Sequence, residues 1–150
     1  MSEPPPLLAV DTNVVLRLLL EDEPVLTSKA TAIWEAVAKG RLTLLWDPVI
    51  LAEVVHVLSS IYRLPNPTIS EGILPLMTLP GVIMPNKELY VQALKLFVRE
   101  VPHFGDACLC AVALEGAEGH IVSFDRKLSK APGITRIEDL PDEESPERAG

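Results

Sequence analysis

The chain has 150 residues, 48% of them hydrophobic, and a formal net charge of −8, with a mean hydropathy of +0.27. The length suits one domain with a sizeable core. The charge excludes passive, charge-driven attraction to nucleic acid as the main source of binding, and no apolar run approaches the length of a membrane span.

The opening, MSEPPPLLAVD, lacks a basic n-region, so neither a signal peptide nor export is expected, and the expected location is cytoplasmic. Leu7 to Val10 reads as a strand that ends at an acid, Asp11, and Asn13 to Leu20 as the helix after it. A second helix runs through EPVLTSKATAIWEAVAKG, with Pro24 near its start and Gly40 at its stop. LTLLW, from Leu42, is a second strand. DPVILAEVVHVLSSIYRL is a third helix, in which Asp47 suits the cap and Pro48 the first helical position.

Thr68 to Leu79 reads as a fourth helix interrupted by Pro75, and GVIMP as a short strand. A fifth helix spans Asn86 to Arg99 with Asn86 as its cap, and a sixth runs from near Gly105 to Glu115. HIVSF is a strand entering Asp125, and GITRI a last short one. Strands alternating with helices predict an α/β fold: a single domain with a mainly parallel central sheet flanked by helices. Its expected extent is 1–137. Residues 138–150 hold six acids and one base, and their prolines and missing apolar period predict an acidic, flexible tail. Cys108 and Cys110 lie too close on one helix to bridge, so both are expected to be reduced.

Four acids interrupt or border apolar pattern. Asp11 follows the first strand and Asp125 a late one, and ligand sites in open parallel sheets gather beyond the carboxyl ends of strands. Glu53 lies at the border of a stripe formed by Ile50, Val54, Val57 and Ile61. Asp106 opens a helix face of small residues, Cys110, Ala113 and Ala117, in a first turn whose amides favour negative charge. Each alone has an ordinary explanation as a cap, a solvated side chain or a turn residue. Carboxylates brought together repel unless a cation sits between them, and all-oxygen ligation suits Mg2+ or Mn2+. His56, His103 and His120 are too scattered for a His/Cys metal cluster.

The segments VDTNVVLRLLLED, LAEVVHVLSSIY, FGDACLCAVALEGA and IVSFDRKL, in that order, resemble the PIN-domain ribonucleases of the VapC toxin type. The resemblance implies a PIN-like fold and a metal-dependent endoribonuclease in which Asp11, Glu53, Asp106 and Asp125 are the acidic site positions. Asp11 and Asp106 are then the metal ligands, with Glu53 and Asp125 acting through water or a second ion. Thr12, Asn13 and Ser123 are supports, with Asn13 expected to hold Asp11 by a hydrogen bond and Ser123 to do likewise or to touch a ligand water. One or two cations suffice to neutralise a phosphate, activate water and stabilise the leaving oxygen.

Arg17, Arg126, Lys127 and Lys130 are the expected RNA phosphate contacts. A single-stranded loop of a structured RNA, such as transfer RNA, is the expected substrate. The resemblance also implies a cognate antitoxin. Leu16, Leu19 and Leu20, with the segment VLTSKATAIWEAV, are candidates for its groove, although core packing competes for them, and the apolar excess of ISEGILPLMTL suggests a homodimer face. Two other readings remain beside this one: a PIN-type RNA-processing nuclease without an antitoxin, and a non-enzymatic regulatory binding protein. A phosphatase with Asp11 as nucleophile is disfavoured, because a second acid is wanted two residues on, where Asn13 stands.

Overall fold

Three apolar residues, Leu7–Ala9, form the first strand (β1), and Asp11 ends it by turning the chain into a helix, Thr12–Leu20 (α1). The computed structural model describes residues 3–140. The Asp11 carboxylate accepts the Thr12 N–H at 2.8 Å, satisfying one donor of the helix start. Glu21 closes α1 in the left-handed region, and Pro24 starts the second helix, Pro24–Ala38 (α2). Strand Thr43–Leu45 (β2) leads to Asp47, whose carboxylate accepts the Val49 N–H at 2.8 Å and caps Pro48–His56 (α3). The same helix continues as a π-helical turn, Val57–Ile61.

Asn66–Met77 (α4) passes through Pro75 without breaking. The expected interruption fails because Pro75 falls in the last turn: the carbonyl deprived of a partner belongs to exposed Glu71, and Thr78 Oγ1 donates to the Leu74 carbonyl at 2.8 Å. Val82–Ile83 (β3) precedes Lys87–Arg99 (α5). Asn86 holds the cap position of α5 but makes no capping hydrogen bond, since its backbone is left-handed (φ 55°). Phe104–Gly116 (α6), His120–Val122 (β4), a 3-10 turn over Arg126–Lys130 and Thr135–Ile137 (β5) complete the described chain. β5 ends where the tail was expected to begin; residues 141–150 of that tail lie outside the described residues.

The strand pairings are all parallel, as the alternating pattern predicts, but they form two sheets. One has the order β1-β2-β3 and the other pairs β4 with β5. Leu8 of β1 lies beside Leu44, and Leu44 beside Val82. The core gathers between the first sheet and the helices, around Trp34, Trp46, Leu51, Ile73, Leu94 and Phe97. Trp34 and Trp46 meet edge to face at 6.0 Å, and Trp34 Nε1 donates to the Val14 carbonyl at 3.0 Å. Phe97 and Phe104 meet at 5.6 Å and tie α5 to α6, which pack along each other.

Candidate functional site

Asp11 sits at the carboxyl end of β1, exposed, with one carboxylate oxygen committed to Thr12 N. Thr12 itself is buried, and its hydroxyl donates to Glu53 Oε2 at 2.9 Å. That bond joins the start of α1 to the middle of α3 and brings Glu53 beside the residue that follows Asp11. The contact has a packing cause. The face of α3 that enters the core is Leu51, Val54, Val55 and, beyond it, Leu58, while Ile50 and Val57 are half-buried and Ile61 is exposed. The apolar stripe is therefore rotated from the one expected, and Glu53 remains exposed beside α1. Asn13 is exposed.

Asp106 lies half-buried in the first turn of α6. Cys110 stands one turn on; burial, and then the charge of Asp106, push its thiol pKa up. Ala107, Cys110, Ala111 and Ala113 face the core, so the small residues do serve close helix packing, while Ala117 falls beyond the helix and is exposed.

Asp125 follows β4 and caps the 3-10 turn: its carboxylate accepts Lys127 N–H at 3.0 Å, and its own N–H donates to Ser123 Oγ at 3.0 Å. Ser123 thus supports Asp125 rather than Asp11. Arg126, Lys127 and Lys130 are exposed around this turn. Arg17 is differently placed. Its guanidinium pairs with Asp22 at 2.6 Å, and Tyr62 reaches the same carboxylate at 3.3 Å. Tyr62 first, and Asp22 with it, push the guanidinium pKa up against the desolvation that lowers it. Arg17 is held within the fold.

Asp11, Asp106 and Asp125 lie at the expected element ends and Glu53 within α3, but the two strand-end acids belong to different sheets: Asp11 follows β1 and Asp125 follows β4. No strand pairing among the described residues joins β1 to β4 into the shared sheet edge expected of them. Among the described residues, no three of His, Cys, Asp or Glu gather closely enough to hold a metal ion. The chemistry of the donors, four carboxylates, fits a hard cation.

A cavity of about 470 Å3 lies between α3 with its π-helical turn, α5 and the start of α6. His56, His103, Tyr90, Phe104 and Cys108 are on its wall. Glu53 and Asp106 belong to the two helices that frame it, each within three residues of a lining position. Two histidines that look scattered in sequence therefore share one wall. No local signal announces this, because the packing of α3 against α6 is what brings them to one cavity. Burial pushes the Cys108 thiol pKa up to about 11, and Cys108 and Cys110 are both free thiols.

The long leucines of α1 serve the core: Leu16 is buried, and Leu19 and Leu20 pack half-buried against it. Ile69, Ile73 and Met77 of α4 are likewise buried. Among the described residues, no helix is long and apolar enough to cross a membrane. Compared with protein families, residues 8–134 match the family described as PIN domain. A comparison with curated proteins finds no match.

Proposed function

The chain belongs to the PIN-domain family, and from that premise we propose that it is a divalent-metal-dependent endoribonuclease, the toxin of a VapC-type toxin–antitoxin pair. Membership supports a general nuclease or RNA-processing role. The observation that carries the finer reading is the Thr12–Glu53 hydrogen bond, which draws an acid of α3 to the carboxyl end of β1 where Asp11 stands.

In this reading Asp11 and Asp106 are ligands of Mg2+ or Mn2+, and Glu53 and Asp125 act through water or a second ion. Such a cation supplies charge neutralisation at the scissile phosphate and a more acidic bound water. The chain's own part is to hold the acids. Thr12 fixes Glu53, and Ser123 steadies the backbone at Asp125. Arg126, Lys127 and Lys130 offer phosphate contacts, while Arg17 is spent on Asp22. The cavity beside Tyr90 and Phe104 offers room and aromatic surface for one unstacked base. Substrate RNA, such as a transfer RNA loop, and a cognate antitoxin are the partners.

The test uses fluorescent RNA and DNA of one sequence, with and without Mn2+. RNA cleavage that requires the ion, and that falls at least about 100-fold in Asp11→Asn with the fold retained, is the expected result. Cleavage undiminished in Asp11→Asn, or none by the wild-type chain, overturns the proposal.

A further inference from the structure

A charged side chain on the inner face of a strand destabilises the fold unless it finds hydrogen-bond partners there. Arg136, in the middle of β5, stands beside buried Ile121 of β4 in the parallel register, so the two side chains share a face. The Arg136 side chain is only 15% exposed. Among the described residues, its partners gather at the carboxyl end of β4 and in the turn that follows. One terminal nitrogen donates to the Ser123 carbonyl at 2.8 Å and to the Glu138 carboxylate at 3.0 Å. Nε donates to Ser129 Oγ at 3.4 Å, a longer bond.

Those partners bracket one segment. Ser123 is the first residue beyond β4, and Ser129 lies in the 3-10 turn. Between them stand Asp125 and the exposed bases Arg126 and Lys127. The bonds inside the segment are local: Asp125 N–H to Ser123 Oγ, and Lys127 N–H to the Asp125 carboxylate, each at 3.0 Å. They shape the turn without tying it to the strands. Buried Leu128 anchors its far side. On the strand side the anchors are the guanidinium and the bond from Ser123 N–H to the Ile137 carbonyl at 3.1 Å. A guanidinium offers five donors in a rigid planar fork, so a single side chain can hold a carbonyl, a hydroxyl and a carboxylate at once.

We propose that Arg136 is a positioning residue for Asp125: it clasps the segment from Ser123 to Ser129 at both ends and so fixes where the Asp125 carboxylate stands. The clasp is independent of the nuclease reading; its consequence for metal binding rests on that reading. Arg136 touches neither ion nor RNA and acts through the chain around Asp125. Removing a group that orients a ligand typically weakens metal affinity about 10- to 100-fold.

Amide hydrogen exchange followed by NMR tests the clasp without metal or RNA. Arg136→Met keeps an apolar stem beside Ile121 and removes every donor. The Asp125 and Lys127 amides are expected to exchange at least about 10-fold faster in this variant. Thr135 N–H, bonded to the Gly119 carbonyl at the other end of the strand pair, should keep its rate. Arg136→Lys, which keeps the charge and loses the fork, is the second variant and should speed the same two amides. Unchanged exchange at Asp125 and Lys127 in both variants overturns the proposal. So does a loss of protection that runs equally through Thr135, because the whole strand pair has then loosened.

Mn2+ titration followed by electron paramagnetic resonance reads the consequence for the site. Arg136→Met should weaken Mn2+ binding about 10-fold in the otherwise wild-type chain and less than about 2-fold in an Asp125→Asn background. Equal weakening in both backgrounds overturns the positioning of Asp125. A wild type that binds no Mn2+ and cleaves no RNA, with exchange in the variants altered as described, removes the nuclease reading and leaves the clasp standing.

Discussion

Thr12 donates its hydroxyl to Glu53 across 41 positions of sequence, at 2.9 Å, from a buried residue to an exposed one. The bond restrains a side chain that would otherwise move freely in water. Thr12→Val keeps the shape and removes the donor. It is expected to cost about 1 kcal/mol of stability and to lower RNA cleavage more than it lowers RNA binding. A double-mutant cycle with Glu53→Gln, read by urea denaturation, measures the coupling directly; strict additivity would deny the bond any role.

Asp47 sets the start of the helix that carries Glu53. Asp47→Ala should lower the unfolding free energy by about 1 kcal/mol, because the Val49 N–H loses its acceptor. The urea midpoint should move while its slope stays unchanged.

Gly119 enters β4 with φ +82°, and a Cβ there would collide with the Gly133 carbonyl. The Gly119 carbonyl also accepts from Thr135 N–H at 2.8 Å, tying β4 to β5. Gly119→Ala combines a disfavoured backbone angle with a clash against another backbone, and should cost more than about 2 kcal/mol. Thermal unfolding against Gly116→Ala, where the added carbon meets open space, provides the control.

Cys108 holds its proton to about pH 11 because burial penalises the thiolate, against an ordinary value of 9.0. Below the ordinary value both folded and unfolded chains are protonated, and the thiol contributes nothing to pH dependence. Between the two values the unfolded chain releases a proton that the folded chain keeps, so stability falls as pH rises through that window. Cys108→Ala should show a shallower fall in urea midpoint over the same range. Native Cys108 should also react slowly with thiol reagents near neutral pH.

The basic residues divide into two kinds. Arg126 and Lys127 are exposed at the turn beside Asp125, whereas Arg17 is paired with Asp22. Arg126→Ala/Lys127→Ala should weaken RNA binding and reduce the dependence of log affinity on log salt by about 1 to 2. Arg17→Ala should leave that slope unchanged and cost about 0.5 kcal/mol of stability, as a partly solvated pair does. Fluorescence anisotropy over a salt series separates the two.

Much of this molecule was legible locally. Asp11 and Asp47 stop a strand or loop and start a helix through their own carboxylates, and Pro24 and Pro48 sit at first helical positions. Those effects act over a few residues, so they appear in the sequence itself. Pro75 and Asn86 were misleading because a proline in a last turn and an asparagine in the left-handed region behave unlike the same residues in general. The rotation of the buried face of α3 depended on what α1 and the sheet offered to pack against.

The sequence by itself determined that the chain is α/β, that its strands run parallel, and that acids stand at the ends of β1 and β4. Periodicity, capping chemistry and strand–helix alternation require no knowledge of distant neighbours. Only the tertiary structure decided that no strand pairing among the described residues joins β1 to β4, that Thr12 reaches Glu53, and that His56 and His103 share a cavity wall. Which edges meet is a competition among contacts far apart in sequence, and a three-residue strand carries too little pattern to name its partner.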